Sequence, residues 1–309
     1  MKKRLCLILI GAVLALSACS GGVKTGEAVS PTAAETSSET QGQITVKRDM
    51  DTTYEYETRE LWCENNGNRI YGKAFIPKIE GAARFPLIIH AHGMGSNHEA
   101  GEGFCKRYAE HGFASYTFDF PGGSKPSNEN KSDGDPLQMS PVTEAADLQA
   151  ILDTALTWDF VEPAYVFLEG GSQGGLVATM VGLDNIDTVH GMILHYPALY
   201  MPQNIASWFN SPEDVPESLS FGDDYTLGKK FAVDLFGVDV VSRLGEFDKN
   251  VLILQGSQDA LVHPQMIEEA SHSFPHCDFI MIEGSGHGFS GEYFNLAVKY
   301  GLEYLFENT

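Results

Sequence analysis

Three side chains far apart in the sequence carry the chemistry it offers. They are Ser172 in Gly170-Gly171-Ser172-Gln173-Gly174-Gly175, Asp259 after VLILQGSQ, and His287 in Gly284-Ser285-Gly286-His287-Gly288. A serine hydroxyl is a weak nucleophile at neutral pH. It attacks a carbonyl when an imidazole takes its proton and a carboxylate holds that imidazole in one orientation. The order serine, acid, histidine, each after an apolar run, suits that arrangement at the edge of a parallel sheet. His263 and Glu283 compete for the base and acid roles. His263 stands beside Pro264, where a helix would start, and Glu283 still belongs to the strand-like run DFIMIEG, so His287 and Asp259 are favoured.

The remaining chemistry is backbone. Ser172 lies where the run AYVFLEGG stops and a helical pattern starts. Strand, sharp turn and helix in that order lift a serine Oγ above the sheet, a nucleophile elbow. Glycines at 170, 174 and 175 remove the Cβ atoms that would hold strand and helix apart. Acyl transfer also needs N–H groups aimed at the developing oxyanion. One is expected from Gln173, at the helix N-terminus, and one from Met94, in the loop His92-Gly93-Met94-Gly95. His90 and His92 lie two apart on a strand, but no third ligand stands at metal-binding spacing. No metal and no cofactor are expected, and Asp119, ending ASYTFDF, is expected to hold loops together.

Positioning these groups falls to apolar runs that alternate with helical patterns. The runs are PLIIHAHG, ASYTFDF, AYVFLEGG, GMILHYPAL, VLILQGSQD and DFIMIEGSGH; the helices are expected near 99–112, 141–157, 174–183, 264–273 and 292–307. Continuous apolar strands alternating with helices imply an α/β fold with a mostly parallel, doubly wound sheet. Ahead of them, YEYETRELWC and RIYGKAFIP flank Asn65-Asn66-Gly67-Asn68 and predict an antiparallel hairpin at the sheet edge. The rhythm breaks at about 200–249, between the sixth and seventh core strands. An insertion there lies above the sheet and is read as a cap. Among its aromatics Trp208, Phe209, Phe221, Tyr225, Phe231 and Phe236, the set Trp208, Phe221 and Tyr225 is assigned to substrate binding.

The chain has 309 residues, 43% of them hydrophobic, enough for a full core, and a formal net charge of −22. Residues 1–18 read as a signal peptide: Lys2, Lys3 and Arg4 precede an apolar run too short for a comfortable membrane span, and small residues precede Cys19. Its removal takes three positive charges away and leaves −22 − 3 = −25. Such acidity argues against nucleic acid or anionic lipid as partners. Residues 19–45, rich in Ser, Thr, Gly, Ala and Glu, read as a flexible tether, and 46–309 as the folded domain. Cys6 leaves with the signal. Cys63, Cys105 and Cys277 are odd in number and widely spaced, which suits three buried thiols better than a disulfide framework.

Leu16-Ser17-Ala18-Cys19 resembles the lipobox of bacterial lipoproteins. That resemblance implies lipidation of Cys19 and an extracytoplasmic protein held to a membrane through its N-terminal lipid alone. From residue 54 onward the chain resembles the α/β-hydrolase superfamily, and within it bacterial feruloyl (cinnamoyl) esterases, on HGMGSN, FDFPG, GGSQGG, YTLGKKFAVDLF, GSQDALVHP and GSGHGF. By that resemblance Ser172, Asp259 and His287 form the triad, Met94 and Gln173 the oxyanion donors, and the cap holds an aromatic acid. The chain departs from the pattern at Gly171, where histidine often precedes the nucleophile, at FDFPGGSKPS, which lacks glycine-histidine-glycine, and at Met94, which replaces a common aromatic. The expected function is a serine carboxylesterase for small-molecule esters, hydroxycinnamoyl esters among them. Two alternatives stand beside it. A serine peptidase of the prolyl-oligopeptidase or aminopeptidase type would need carboxylates for a substrate's amino terminus, as Glu213, Asp214 and Glu217 would supply. The other is a non-catalytic binding lipoprotein on the same scaffold. No sequence feature specifies an oligomer.

Overall fold

The computed structural model describes residues 46–221 and 224–309. The signal peptide, the lipidation site Cys19 and the tether to residue 45 lie outside the described residues. An antiparallel hairpin opens the fold, β1 (Tyr56–Asn65) and β2 (Asn68–Pro77). Asn66 and Gly67 both have positive φ, 49° and 83°, the two-residue turn whose twist matches the strands it joins.

Then strands and helices alternate: β3 (Phe85–Ala91), α1 (Glu99–Glu110), β4 (Ala114–Phe118), α2 (Pro141–Ala155), β5 (Val161–Gly171), α3 (Gln173–Asp184) and β6 (Val189–His195). The segment 201–246 carries α4 (Met201–Ala206), a separate small hairpin β7 (Ser218–Phe221) and β8 (Tyr225–Gly228), and α5 (Lys229–Val233). The main sheet resumes with β9 (Asn250–Gly256), α6 (Pro264–Ser271), β10 (Cys277–Ile282) and α7 (Glu292–Glu307). Its order is β1-β2-β4-β3-β5-β6-β9-β10, antiparallel from β1 through β2 to β4 and parallel elsewhere.

Both faces of the sheet are covered because successive residues of each strand point to opposite sides. Leu87, Ile89, Val166, Leu168, Met192 and Leu194 pack with Leu148, Ile151, Leu176, Val177 and Ile267 of α2, α3 and α6. The alternating residues Ile88, Phe167, Ile193 and Leu252 pack with Phe104, Val298, Leu302 and Leu305 of α1 and α7. Each such side chain contributes roughly 1.5–3 kcal/mol on leaving water. Helix α2 starts cleanly: Ser140 caps it in a reciprocal pair with Thr143, and Pro141 takes the first position.

Helices α1, α2 and α6 end two residues before their sequence patterns do. At the first of these ends Gly112, with φ 86°, turns the chain toward β4. The insertion has a small core of its own, where Ile205, Val215, Tyr225, Leu227, Phe231 and Leu235 pack with Met139. Among the thiols, Cys63 and Cys105 are buried and free, whereas Cys277, on the edge strand β10, is free and only half-buried. That corrects the expectation of three buried thiols.

Candidate active site

The elbow follows from its neighbours. Ser172 holds φ 54° and ψ −120°, a conformation that strains any side chain bearing a Cβ. The turn is pinned on both sides. Ser172 N–H donates to the His195 carbonyl (3.0 Å), while its own carbonyl accepts from Gly175 (3.0 Å) and Ala198 (2.9 Å). A Cβ on Gly170 would lie inside the Gly174 carbonyl, and one on Gly174 inside the Ala91 carbonyl. Glycine is therefore required at both places by close approach of backbones.

The ends of β9 and β10 bring the partners. His287 Nε2 lies 3.0 Å from Ser172 Oγ, and its Nδ1 lies 2.8 Å from Asp259 Oδ2. With the carboxylate accepting from Nδ1–H, Nε2 keeps a lone pair for the serine proton. Asp259 is itself held. Its Oδ1 accepts from the N–H groups of Leu261 and Val262, both at 2.9 Å, and its Oδ2 from Gln255 Nε2 at 3.2 Å. The competing residues do not join this line: His263 stands at the N-cap position of α6, on the wall of the same cleft, and Glu283 is exposed.

The N–H groups of Met94 and Gln173 donate to no acceptor among the described residues. Gln173 begins α3, and Met94 lies in a loop fixed from two directions. Behind it, His92 accepts from Phe120 N–H at Nε2 (3.1 Å), so its Nδ1–H donates to the Gly93 carbonyl (2.9 Å). Burial pushes the His92 imidazole down to about 4, which keeps it neutral. Ahead of it, Gly95 N–H donates to the Gly123 carbonyl at 3.0 Å. His90 turns to Glu169 instead, so the two histidines face different partners and share none. Asp119 ties loops together, accepting from His98 N–H and facing His98 Nδ1, both at 2.7 Å, and accepting from Lys131 N–H at 2.9 Å.

Beside the Met94 and Gln173 N–H groups lies a feature the sequence did not announce. Gln173 Nε2 donates to Glu144 Oε2 (2.7 Å), and both residues are buried. Burial pushes the Glu144 carboxyl up to about 8, Asp147 adds to the rise, and the bond from Gln173 opposes it. At neutral pH Glu144 is therefore an uncharged acid. Its other oxygen faces Gly123, whose carbonyl also accepts the Tyr225 hydroxyl at 3.0 Å. Tyr225 is thus a correction: it is buried against the Met94 loop and absent from the cleft wall. The sequence signal for Tyr225 was only its aromatic character, which does not distinguish lining from propping.

Over Ser172 opens a cleft of about 290 Å³. Its walls include Met94, Tyr200, Met201, Asn204, Ile205, Trp208, Phe221, Phe231, His263 and Met266, with Ser172 and His287 at its floor. Trp208 and Phe221 line the same cleft as Ser172, with ring centroids 6.4 Å apart. Phe231 joins them, while Phe209 and Phe236 pack into the core of the insertion. No carboxylate lines the cleft among the described residues, and Glu213, Asp214 and Glu217 are exposed.

Sheet order, parallel crossovers and the elbow define an α/β-hydrolase fold. A family model described as serine aminopeptidase S33 matches residues 83–216, under half of the chain. Among solved structures, the chain is similar to Est1E from Butyrivibrio proteoclasticus with ferulic acid bound. Identity there is 23%, over 80% of this chain and 98% of that one, with a TM-score of 0.73. It is also similar to acetyl xylan esterase 1 from a Thermoanaerobacterium species, at 18% identity over 84% of this chain and 87% of that one, with a TM-score of 0.58. No curated protein matches the sequence.

Proposed function

We propose that this protein is a serine carboxylesterase acting on small esters with an apolar acyl group, hydroxycinnamoyl esters among them. The observation that carries the reading is the hydrogen-bonded line Ser172–His287–Asp259 at the floor of an apolar cleft lined by no carboxylate among the described residues. Ser172 Oγ bonds to the ester carbonyl carbon as its proton passes to His287 Nε2. The oxyanion is received by the Met94 and Gln173 N–H groups, each worth ~2.7–4 kcal/mol in comparable sites. Collapse breaks the bond to the alcohol oxygen, which takes the proton from His287. Water, deprotonated by the same imidazole, then attacks the acyl carbon and frees the acid and Ser172. Asp259 orients the ring throughout.

The acyl assignment draws on the cleft's aromatic wall and on the likeness to a feruloyl-binding esterase structure. A peptidase reading has the family description in its favour, but among the described residues the cleft wall offers no carboxylate to pair with a substrate ammonium. We place the protein outside the cytoplasmic membrane, anchored through a lipid on Cys19 after loss of residues 1–18. Radiolabelled fatty acid incorporated by the wild type and not by Cys19→Ala tests that placement.

The catalytic test is hydrolysis of methyl ferulate beside acetyl and butyryl aryl esters by the full chain, with Ser172→Ala as control. Cleavage of ferulate that disappears in the alanine variant supports both mechanism and acyl class. Cleavage of the short esters alone removes the hydroxycinnamoyl assignment. Faster Ser172-dependent cleavage of aminoacyl amides than of esters would overturn the esterase reading.

A further inference from the structure

Ser172 opens to a second cavity, of about 340 Å³, on the side away from the insertion's aromatics. It shares Met94, Ser172, Leu261 and His287 with the cleft and continues between His90, Ser96, Phe104 and Tyr196. A buried charge stands behind it. Glu169, fully buried three residues before the serine, faces His90 Nδ1 at 2.7 Å through Oε2 and accepts the Tyr108 hydroxyl at 2.6 Å through Oε1. A charged residue inside the otherwise apolar run VFLEGG is a cost that these partners offset. Burial raises the Glu169 carboxyl, but His90, His195 and Tyr108 outweigh it and hold the group below its ordinary value.

The consequence falls on the free side of the imidazole. With Nδ1 held against Glu169, His90 turns Nε2 toward the cavity, and that atom has no partner among the described residues. His90 is only 4% exposed and lines the cavity. Two hydroxyls join it there, Tyr196 Oη and Ser96 Oγ, likewise without partners among the described residues. Tyr196 is fixed by a strained backbone, φ 38°, with its ring 4.7 Å from that of His287. One imidazole nitrogen and two hydroxyls, with no lysine, arginine, aspartate or glutamate on the wall among the described residues, suit a ligand that bears neutral hydroxyl groups.

We propose that this second cavity is the alcohol subsite and selects esters whose leaving alcohol carries further hydroxyl groups, one of which hydrogen-bonds to His90 Nε2. Glu169 acts as a positioning residue that holds the His90 ring in place through Nδ1. The assignment rests on the esterase reading, with the acid in the aromatic cleft and the alcohol on the opposite side of the tetrahedral carbon.

Two butyrate esters of equal chain length separate the readings, glyceryl 1-monobutyrate and n-propyl butyrate, assayed with the full chain. We expect kcat/KM to favour the glyceryl ester by about tenfold, the worth of one or two hydrogen bonds. Tyr196→Phe and His90→Phe should each cut that preference by about threefold or more, chiefly through KM for the glyceryl ester. A wild-type ratio near one, or a ratio untouched by Tyr196→Phe, would overturn the assignment, and the latter holds even if the His90 variant does not fold. Absence of any Ser172-dependent ester hydrolysis, including that of aryl butyrates, would instead sink the esterase reading and take the subsite with it.

Discussion

The two sides of Ser172 are built differently. On the sheet side backbone does most of the placing: the elbow is held by hydrogen bonds to His195 at the end of β6, to Gly175 in α3 and to Ala198, Asp259 by two consecutive N–H groups, and His287 follows the end of β10. On the insertion side the wall is side chains on short helices and a two-stranded hairpin, and Trp208 is 57% exposed. Under the proposed function the over-determined sheet side carries the chemistry and the adaptable insertion side carries selection. Damage to the first should abolish turnover, and damage to the second should redistribute it among substrates.

The sharpest break in that contrast is Asp259→Asn. It preserves the size of the side chain but leaves the imidazole without a charged partner and offers it the wrong tautomer. Turnover should fall by about 10⁴-fold, as such replacements do in comparable triads. Far-ultraviolet circular dichroism should stay as in the wild type. Loss of less than tenfold in steady-state assays would remove Asp259 from the triad.

Gly170→Ala tests the same side through packing. The added methyl has nowhere to go, because what it meets is the Gly174 carbonyl, which is backbone and cannot rotate away. Overpacking of this kind costs about 3 kcal/mol. Denaturant titration should show that loss, and an equally stable variant would mean that β5 and α3 approach less closely than described.

Glu144 lies between the two sides and gives a pH signature. Its carboxyl moves from 4.5 in the unfolded chain to about 8 when buried. A group raised in this way stabilises the fold fully below pH 4.5, and that contribution is lost as pH rises through about 8, by up to about 1.4 kcal/mol per pH unit. Glu144→Gln keeps an acceptor for Gln173 and cannot ionise. Unfolding free energies measured from pH 5 to 9 should therefore decline less steeply in the variant. Parallel curves would show that Glu144 does not hold its proton in the folded protein.

What was legible in the sequence follows this division. The line Ser172–His287–Asp259 could be read because a parallel sheet brings the residues after its strand ends together, and apolar runs ending ahead of Ser172, Asp259 and His287 mark those ends. The edge hairpin was legible for a similar reason, since Asn66-Gly67 admits few backbone conformations. Glu144, His92 and Tyr196 were not. Each matters through a partner distant in sequence: Gln173 for Glu144, Phe120 for His92, and for Tyr196 the gap beside Gly171. Glu169 left a trace as a charge in an apolar strand, but nothing local showed that His90 would pair with it. Tyr225 was misassigned because its neighbour Gly123 belongs to a loop a hundred residues away.

The smallest expected effect belongs to Trp208. Its exposure means that truncation removes little buried surface, so Trp208→Ala should change stability by less than about 0.5 kcal/mol. Its ring nevertheless forms one wall of the cleft beside Phe221. An aromatic contact there is worth about 1 kcal/mol, so kcat/KM for methyl ferulate should fall about fivefold. Acetyl esters, which offer no ring to stack, should lose less, and the ratio between the two substrates is the informative quantity. If both fall equally, Trp208 shapes the cleft as a whole, and the insertion side is less adaptable than the contrast with the sheet side requires. A fall confined to the ferulate places the acid's ring against this wall. It also leaves the opposite cavity, with His90 and Tyr196, as the side from which the alcohol departs.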